Sequence, residues 1–265
     1  MKIGFIGLGN MATAMIGGML EKGLVTSGDI IGSAKTTATI EKIMTRFNIT
    51  TVPENKKVAE QADVLFLAIK PIFMSEVIEE IKDVVRPETL IVSIAAGRTL
   101  AYLREAFGRP ELKLVRCMPN TPALVMEGCT GICAGADVTE EELERIVGLM
   151  EAFGKASVVP ERLMDVVVGV SGSSPAYVFM FIEAMADEAV AAGMPRKQAY
   201  EFAAQSVLGS AKMVLETGKH PGELKDMVCS PGGTTIEAVK VLEEKGFRAA
   251  VMDAMEACIE KSKNM

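Results

Sequence analysis

The chain contains no tryptophan, three tyrosines and a single histidine, His220. One histidine cannot build a multi-histidine metal site. Neither H-E-x-x-H nor G-x-S-x-G occurs, so metal hydrolysis and Ser-His-Asp acyl transfer both lack parts. His220 lies between lysine and proline in a turn-forming stretch, where a lone histidine is more often incidental than catalytic. Cysteine is sparse: Cys117, Cys129, Cys133, Cys229 and Cys258 are odd in number and scattered. That fits a reducing compartment better than a disulfide framework. Cys129 and Cys133 lie in a strand-like run with no histidine nearby, so they are expected to be small core side chains and not metal ligands. Positive charge is short as well. A net charge of −7 leaves no electrostatic footprint for nucleic acid. The longest apolar run, residues 176–193, is interrupted by Glu183, Asp187 and Glu188. It is expected to be a helix buried inside protein and not a membrane span. The chain enters a strand at Lys2 without a basic leader or cleavage site. These absences together predict a cytoplasmic protein with no metal, nucleic-acid or membrane partner.

Hydrophobic residues make up 49% and charged residues 24% of 265 positions, a globular composition with room for one large or two modest domains. The first chemistry-bearing pattern is Ile3-Gly4-Phe5-Ile6, a short strand, followed at once by Gly7-Leu8-Gly9-Asn10-Met11-Ala12. Met15, Ile16, Met19 and Leu20 then recur at helical spacing. As bare letters G-x-G-x-x-A is weak, but between a strand and a helix it is the fingerprint of a dinucleotide site. Gly7 allows the tight turn, Gly9 lets a pyrophosphate approach the backbone, and Ala12 lets the helix pack on the strand. The second strand ends in Ser33-Ala34-Lys35-Thr36-Thr37, with no acidic residue before Glu41. An NAD site usually places Asp or Glu there, whereas serine, threonine and lysine suit a 2′-phosphate. NADP is therefore favoured over NAD, although Lys35 also reads as an ordinary solvated lysine.

Further apolar runs at residues 63–69 and 89–93 read as parallel strands covered on both faces. Pro71 opens a helix at its tolerated first position, and Thr99 caps another. Ala68, Lys70, Pro71, Ala95 and Ala96 lie at strand carboxyl ends, where open α/β sheets bind ligands. Small residues there serve close packing equally well. Residues 112–116, 129–134 and 156–159 add strands. The stiff Pro119-Asn120-Thr121-Pro122 loop is a candidate cleft wall. The fold expected is α/β: a Rossmann-type domain over residues 1–160, followed by an all-helical domain over residues 161–265.

In the helical part, Cys229-Ser230-Pro231-Gly232-Gly233-Thr234-Thr235 delivers the chain into a run with Ile236, Val239 and Leu242 at helical spacing. Thr234 and Glu237 have the form of a capping box. A glycine bend into a helix start presents unpaired N–H groups and binds carboxylates. Alone, the stretch reads as readily as a structural turn. Residues 177–192 are apolar on nearly all sides, too much for one small helical domain to cover. An obligate homodimer through this half is expected, with further assembly such as a decamer left open.

With these motifs in place, the chain resembles the pyrroline-5-carboxylate reductase family from Lys2 to about Lys261. The most specific match is residues 221–235, supported by residues 7–12, 64–71, 116–122 and 171–177. Ser174 departs from the glycine usual in the family. The resemblance implies NADPH (NADH less often) reducing 1-pyrroline-5-carboxylate to proline, at an active site between the two domains and the two subunits. Carried over by position, Ile6, Gly7, Leu8, Gly9, Asn10 and Met11 bind the pyrophosphate. Ser33, Lys35 and Asn55 lie near the adenosine ribose phosphate. Ala68, Ile69, Lys70, Pro71, Ile94, Ala95 and Ala96 run along the cofactor. Gly233 and Thr234 offer N–H groups to the substrate carboxylate, and Thr235, the catalytic residue, places its hydroxyl against the ring nitrogen. Two alternatives remain beside this reading. A β-hydroxyacid dehydrogenase needs a basic lysine, and residues 176–193 contain none. A non-catalytic NADPH-sensing regulator would have no use for the glycine bend.

Overall fold

Short strands whose alternate residues are apolar on both faces build a single sheet with a core on each side. The computed structural model describes residues 1–265. The strands are β1 (Ile3–Ile6), β2 (Ile30–Ser33), β3 (Thr50–Val52), β4 (Val64–Leu67), β5 (Leu90–Ser93), β6 (Lys113–Met118), β7 (Gly128–Ala134) and β8 (Gly154–Val158). Their spatial order is β3-β2-β1-β4-β5-β6-β7-β8, parallel throughout except for the antiparallel β6/β7 pair. The chain leaves β1 in one direction and returns to β4 on its other side. A crevice therefore opens at the carboxyl ends of β1 and β4.

Six helices cover the sheet: α1 (Asn10–Glu21), α2 (Thr37–Phe47), α3 (Asn55–Gln61), α4 (Met74–Ile81), α5 (Leu100–Phe107) and α6 (Glu140–Glu151). Phe5 and Phe66 sit opposite each other in register and stack at 4.8 Å in the core that also takes Met15, Ile16 and Met19 of α1. Their neighbours Ile6, Leu65 and Leu67 point to the other face, against Ile78 and Ile81 of α4. Burying one such side chain contributes about 1.5–3 kcal/mol. Thr99 caps α5 as expected, and Thr139 caps α6 in a full capping box with Glu142. Strand β3 was not foreseen. It is a half-exposed edge strand beginning Thr50-Thr51, with no apolar alternation to announce it. Of the two cysteines expected in the core of β7, Cys133 is buried but Cys129 is exposed.

Two compact units result, Met1–Ser173 with Cys258–Met265, and Ser174–Ala257. Strands give way to helices at Pro160, but α7 (Met164–Val167) and the π-helical turn Val168–Gly172 still pack in the first unit. The end of the chain joins them there, with the Ser262 hydroxyl donating to Asp165 at 2.7 Å. The second unit is helical: α8 (Ser174–Ala191), α9 (Arg196–Thr217), α10 (Pro221–Met227), α11 (Thr234–Glu244) and the start of α12 (Phe247–Lys263). Ser174 opens α8 and is not among the residues with positive φ, so replacing glycine there brings no backbone strain. The burial expected for residues 176–193 is not supplied by this chain alone. Only Ala186 of α8 is buried, while Phe179 is 63% and Met180 68% exposed. The helical stretch Glu161–Ala191 is long and apolar enough to cross a membrane by length and composition, with mean hydropathy 1.4. Its carboxylates do not lower it below that mark.

Candidate active site

Gly7 takes φ +94°, and a Cβ on it would stand 2.4 Å from the Ala68 carbonyl oxygen. Both the dihedral and the close approach of β1 to β4 demand glycine. Gly9 is the N-cap of α1, has no side-chain cap, and would leave a Cβ in open space. The first turn of α1 carries no acidic residue. Its amides therefore face the cleft with the positive end of the helix dipole behind them, which suits a pyrophosphate. Thr13 ties the turn down from behind by donating to the Gly9 carbonyl at 2.8 Å, and Ala12 is buried beneath it.

The cleft over this turn has a volume of about 540 Å³. Among the residues expected at a cofactor, Ile6, Gly7, Leu8, Gly9, Asn10, Ser33, Lys35, Asn55 and Ile69 line it. Met11, Ala68, Lys70, Pro71, Ile94, Ala95 and Ala96 do not. Met11, Ala68 and Ile94 pack against the first core, and Ala95 is buried in the second. Thr36, Thr39 and Lys42 from α2, and Phe73, Glu76, Val77 and Glu80 from the α4 region, also line the cleft. Thr36 belongs to the stretch expected near a 2′-phosphate; the others were missed, although Phe73, Val77 and Glu80 form a helical stripe downstream of Pro71. Lys35 lies over the Phe73 ring, its ammonium 5.2 Å from the centroid. The Ser33 hydroxyl donates to Asn55, whose amide donates to Glu80, both at 2.7 Å.

The loop of residues 119–122 is absent from the cleft lining and acts as a brace in the first unit. Asn120 accepts from the Cys129 N–H at 2.8 Å and donates to the Ser171 carbonyl at 3.0 Å. Arg116, almost fully buried, donates to Glu161 at 2.7 Å, and the same carboxylate oxygen accepts the Leu100 N–H. Burial pushes the Cys133 thiol up to about 11 and the Cys117 thiol higher still, so neither is a nucleophile at neutral pH. His220 caps α10, its Nδ1 accepting from the Gly222 N–H at 3.1 Å, which gives it a structural task.

In the helical unit, the expected capping box at Thr234 is not formed. Gly233 is the N-cap of α11 with no side-chain partner, and Thr234 is already the first helical residue. A residue with helical dihedrals cannot aim its hydroxyl back at its own helix start as a cap does. Gly232 holds φ +66° in open space, so its dihedral and not crowding requires glycine. The Gly233 N–H donates to the Ser230 carbonyl at 3.0 Å. The first-turn amides of Thr234 and Thr235 are left without an intrahelical acceptor, with Thr235 half-buried beside them.

A doubly wound sheet with a bare glycine turn at its switch point defines a Rossmann-type dinucleotide-binding protein. Residues 2–97 match the profile described as NADP oxidoreductase coenzyme F420-dependent, and residues 161–265 match pyrroline-5-carboxylate reductase dimerisation. The pyrroline-5-carboxylate reductase of Escherichia coli strain K12 is 54% identical over 264 residues, covering 100% of this chain and 98% of that relative. The solved structure of the Coxiella burnetii reductase superimposes with TM-score 0.91 at 33% identity, covering 99% of this chain and 97% of that one. The Plasmodium falciparum pyrroline carboxylate reductase with NADP bound gives 0.89 at 31% identity, with the same coverage of each chain. The chain belongs to the pyrroline-5-carboxylate reductase family. It is an NADP-dependent oxidoreductase of proline biosynthesis, reducing the C=N bond of 1-pyrroline-5-carboxylate.

Proposed function

We propose that this reduction is carried out with the substrate carboxylate on the start of α11 and the ring nitrogen against Thr235. The observation that carries the reading is the uncapped helix start behind Gly233. Because the Gly233 N–H is engaged by Ser230, the amides of Thr234 and Thr235 are the carboxylate donors. Gly233 contributes bare backbone that a carboxylate can approach. The Thr235 hydroxyl oxygen accepts the N–H of the protonated imine and fixes the ring. A protonated imine accepts hydride readily, so no strong base is needed, in keeping with a chain that has one structural histidine.

NADPH, when bound, supplies the hydride. Its pyrophosphate is held by the turn from Ile6 to Met11, and its adenosine ribose by Ser33, Lys35 and Asn55. Its remaining length is steered by Ala68, Ile69, Lys70 and Pro71 after β4 and by Ile94, Ala95 and Ala96 after β5. Residues 1–160 serve as the nucleotide half and residues 161–265 as the substrate and dimerisation half. A second copy of the chain covers the apolar faces of α8 and α9, so these helices meet protein and not lipid. The working location is the cytoplasm. In the decisive experiment, Thr235→Ala lowers kcat/KM for the imine by roughly 10–100-fold, the scale of one positioning hydrogen bond, with NADPH affinity barely altered. An unchanged rate removes Thr235 from the site.

A further inference from the structure

The turn after β4 and the turn after β5 are tied together by two contacts with the same spacing on each segment. Arg98 forks onto the Pro71 carbonyl, with Nη2 at 3.3 Å and Nε at 3.4 Å. Four residues on in both segments, the Ser75 and Tyr102 hydroxyls share a hydrogen bond of 2.8 Å. The Arg98 guanidinium lies over the Tyr102 ring, 4.9 Å from its centroid, and so joins the two contacts into one clamp. The Met74 N–H already binds the same Pro71 carbonyl within its own turn. Arg98 takes the second lone pair of that oxygen.

A third segment closes on the same side chain. Arg98 Nη1 donates to the Met265 backbone oxygen at 3.1 Å, and a Cβ on Gly97 would stand 2.6 Å from the Met265 Cβ. Residues 258–265 belong to the first unit, where Cys258 donates to Ser173 at 3.2 Å and Ser262 donates to Asp165. Each of the three Arg98 nitrogens thus engages a backbone oxygen. Arg98 is half-buried and does not line the cleft. Ile69 and Phe73, two residues to either side of Pro71, do line it. The clamp therefore acts on the cleft wall from behind.

We propose that Arg98 is a positioning residue for hydride transfer: by fixing the turn after β4 against the turn after β5, it holds the reacting end of the cofactor in place. The proposal rests on the reading that residues 68–71 and 94–96 run along the cofactor. A planar guanidinium can hold one carbonyl from two nitrogens and keep a third for Met265, which an ammonium cannot do in fixed geometry. An unclamped turn leaves the adenosine end bound but lets the reacting carbon stray, and such misplacement lowers rate more than affinity.

The test is Arg98→Met, which keeps an unbranched stem beside Tyr102 and removes the guanidinium. Single-turnover stopped flow follows NADPH absorbance after the imine is added. Its rate constant reports the hydride step, and its amplitude reports the active fraction. The variant is expected to lower the rate constant about 5–20-fold at full amplitude, with affinity for adenosine 2′,5′-bisphosphate within about twofold. A merely structural role would lower the amplitude and leave the rate constant where it was. Tyr102→Phe keeps the ring and loses the Ser75 contact, so a drop of about 2–5-fold is expected, and it carries the test if Arg98→Met does not fold. Removing Asn264 and Met265 is expected to slow the unaltered protein and to add nothing in Arg98→Met, because both act on one clamp. Unchanged rate constants, a loss of bisphosphate affinity equal to the loss of rate, or a fully additive effect of the deletion overturns the proposal. Failure of the unaltered protein to oxidise NADPH defeats the cofactor reading as well, whereas a normal hydride step in Arg98→Met defeats the role of Arg98 alone.

Discussion

Residues Met1–Ser173 bury phenylalanine, isoleucine, leucine and methionine on both faces of a sheet, whereas Ser174–Ala257 bury only Ala186, Ala199 and Ala203 among apolar residues. The helical unit instead exposes Phe179, Met180, Phe202, Leu208, Leu215 and Met252. Its hydrophobic content is not lower; it is placed outside. Small residues let α8 and α9 approach each other closely, and their large side chains then have nothing in the same chain to pack on. The nucleotide half completes its core alone. The helical half, which matches a dimerisation profile, is an incomplete core that association would complete.

The contrast can be broken most forcefully at the sheet. Phe66→Ala removes one partner of the Phe5 stack at a fully buried position and is expected to cost about 3–5 kcal/mol. In denaturant melts that loss should not depend on protein concentration. A concentration-dependent loss would mean that the first core, too, is completed by a partner. Next comes Phe179→Asp, a charge set in the exposed apolar face of α8. It is expected to weaken self-association by about 30–100-fold, seen by sedimentation, while far-ultraviolet circular dichroism stays unchanged. A dimer as tight as before would place the subunit contact elsewhere. The smallest effect is electrostatic. The Asp63 carboxyl is held below the ordinary carboxylate range by the Lys2 N–H and then by the Arg86 side chain. Its folded value is depressed, so its stabilisation is present above the unfolded value of about 3.9 and is lost as pH falls through the folded value. Asp63→Asn should flatten that acid limb at a cost of under about 1 kcal/mol at neutral pH, because the pair is half in solvent. An unaltered acid limb would show that Asp63 has no part in it.

Much of the architecture was legible beforehand. Continuous apolar runs announced β1, β4 and β5, and a threonine before an apolar turn announced α5. The glycine turn of residues 7–12 was legible because φ and the absence of a Cβ are local demands. Strand β3 was not, since it is held in place by its pairing with β2 and has no apolar period of its own. Cys129 was misjudged for a related reason: alternation along a strand does not say which face has a neighbour. The capping box at Thr234 was one residue out of phase. A hydroxyl-and-glutamate spacing cannot tell an N-cap from the first helical residue when glycine precedes it.

The amino-acid sequence on its own determined most of the order of strands and helices, the bare glycine turn into the first helix at Gly9, and the family to which the chain belongs. These depend on dihedral limits and hydrophobic period, which are properties of neighbouring residues. The meeting of Ser33, Asn55 and Glu80 in one cleft, and the failure of the helical unit to enclose its own large side chains, were decided only by tertiary structure. Both depend on which elements become neighbours in space, and that follows from the spatial order of the strands and the packing of α8 on α9.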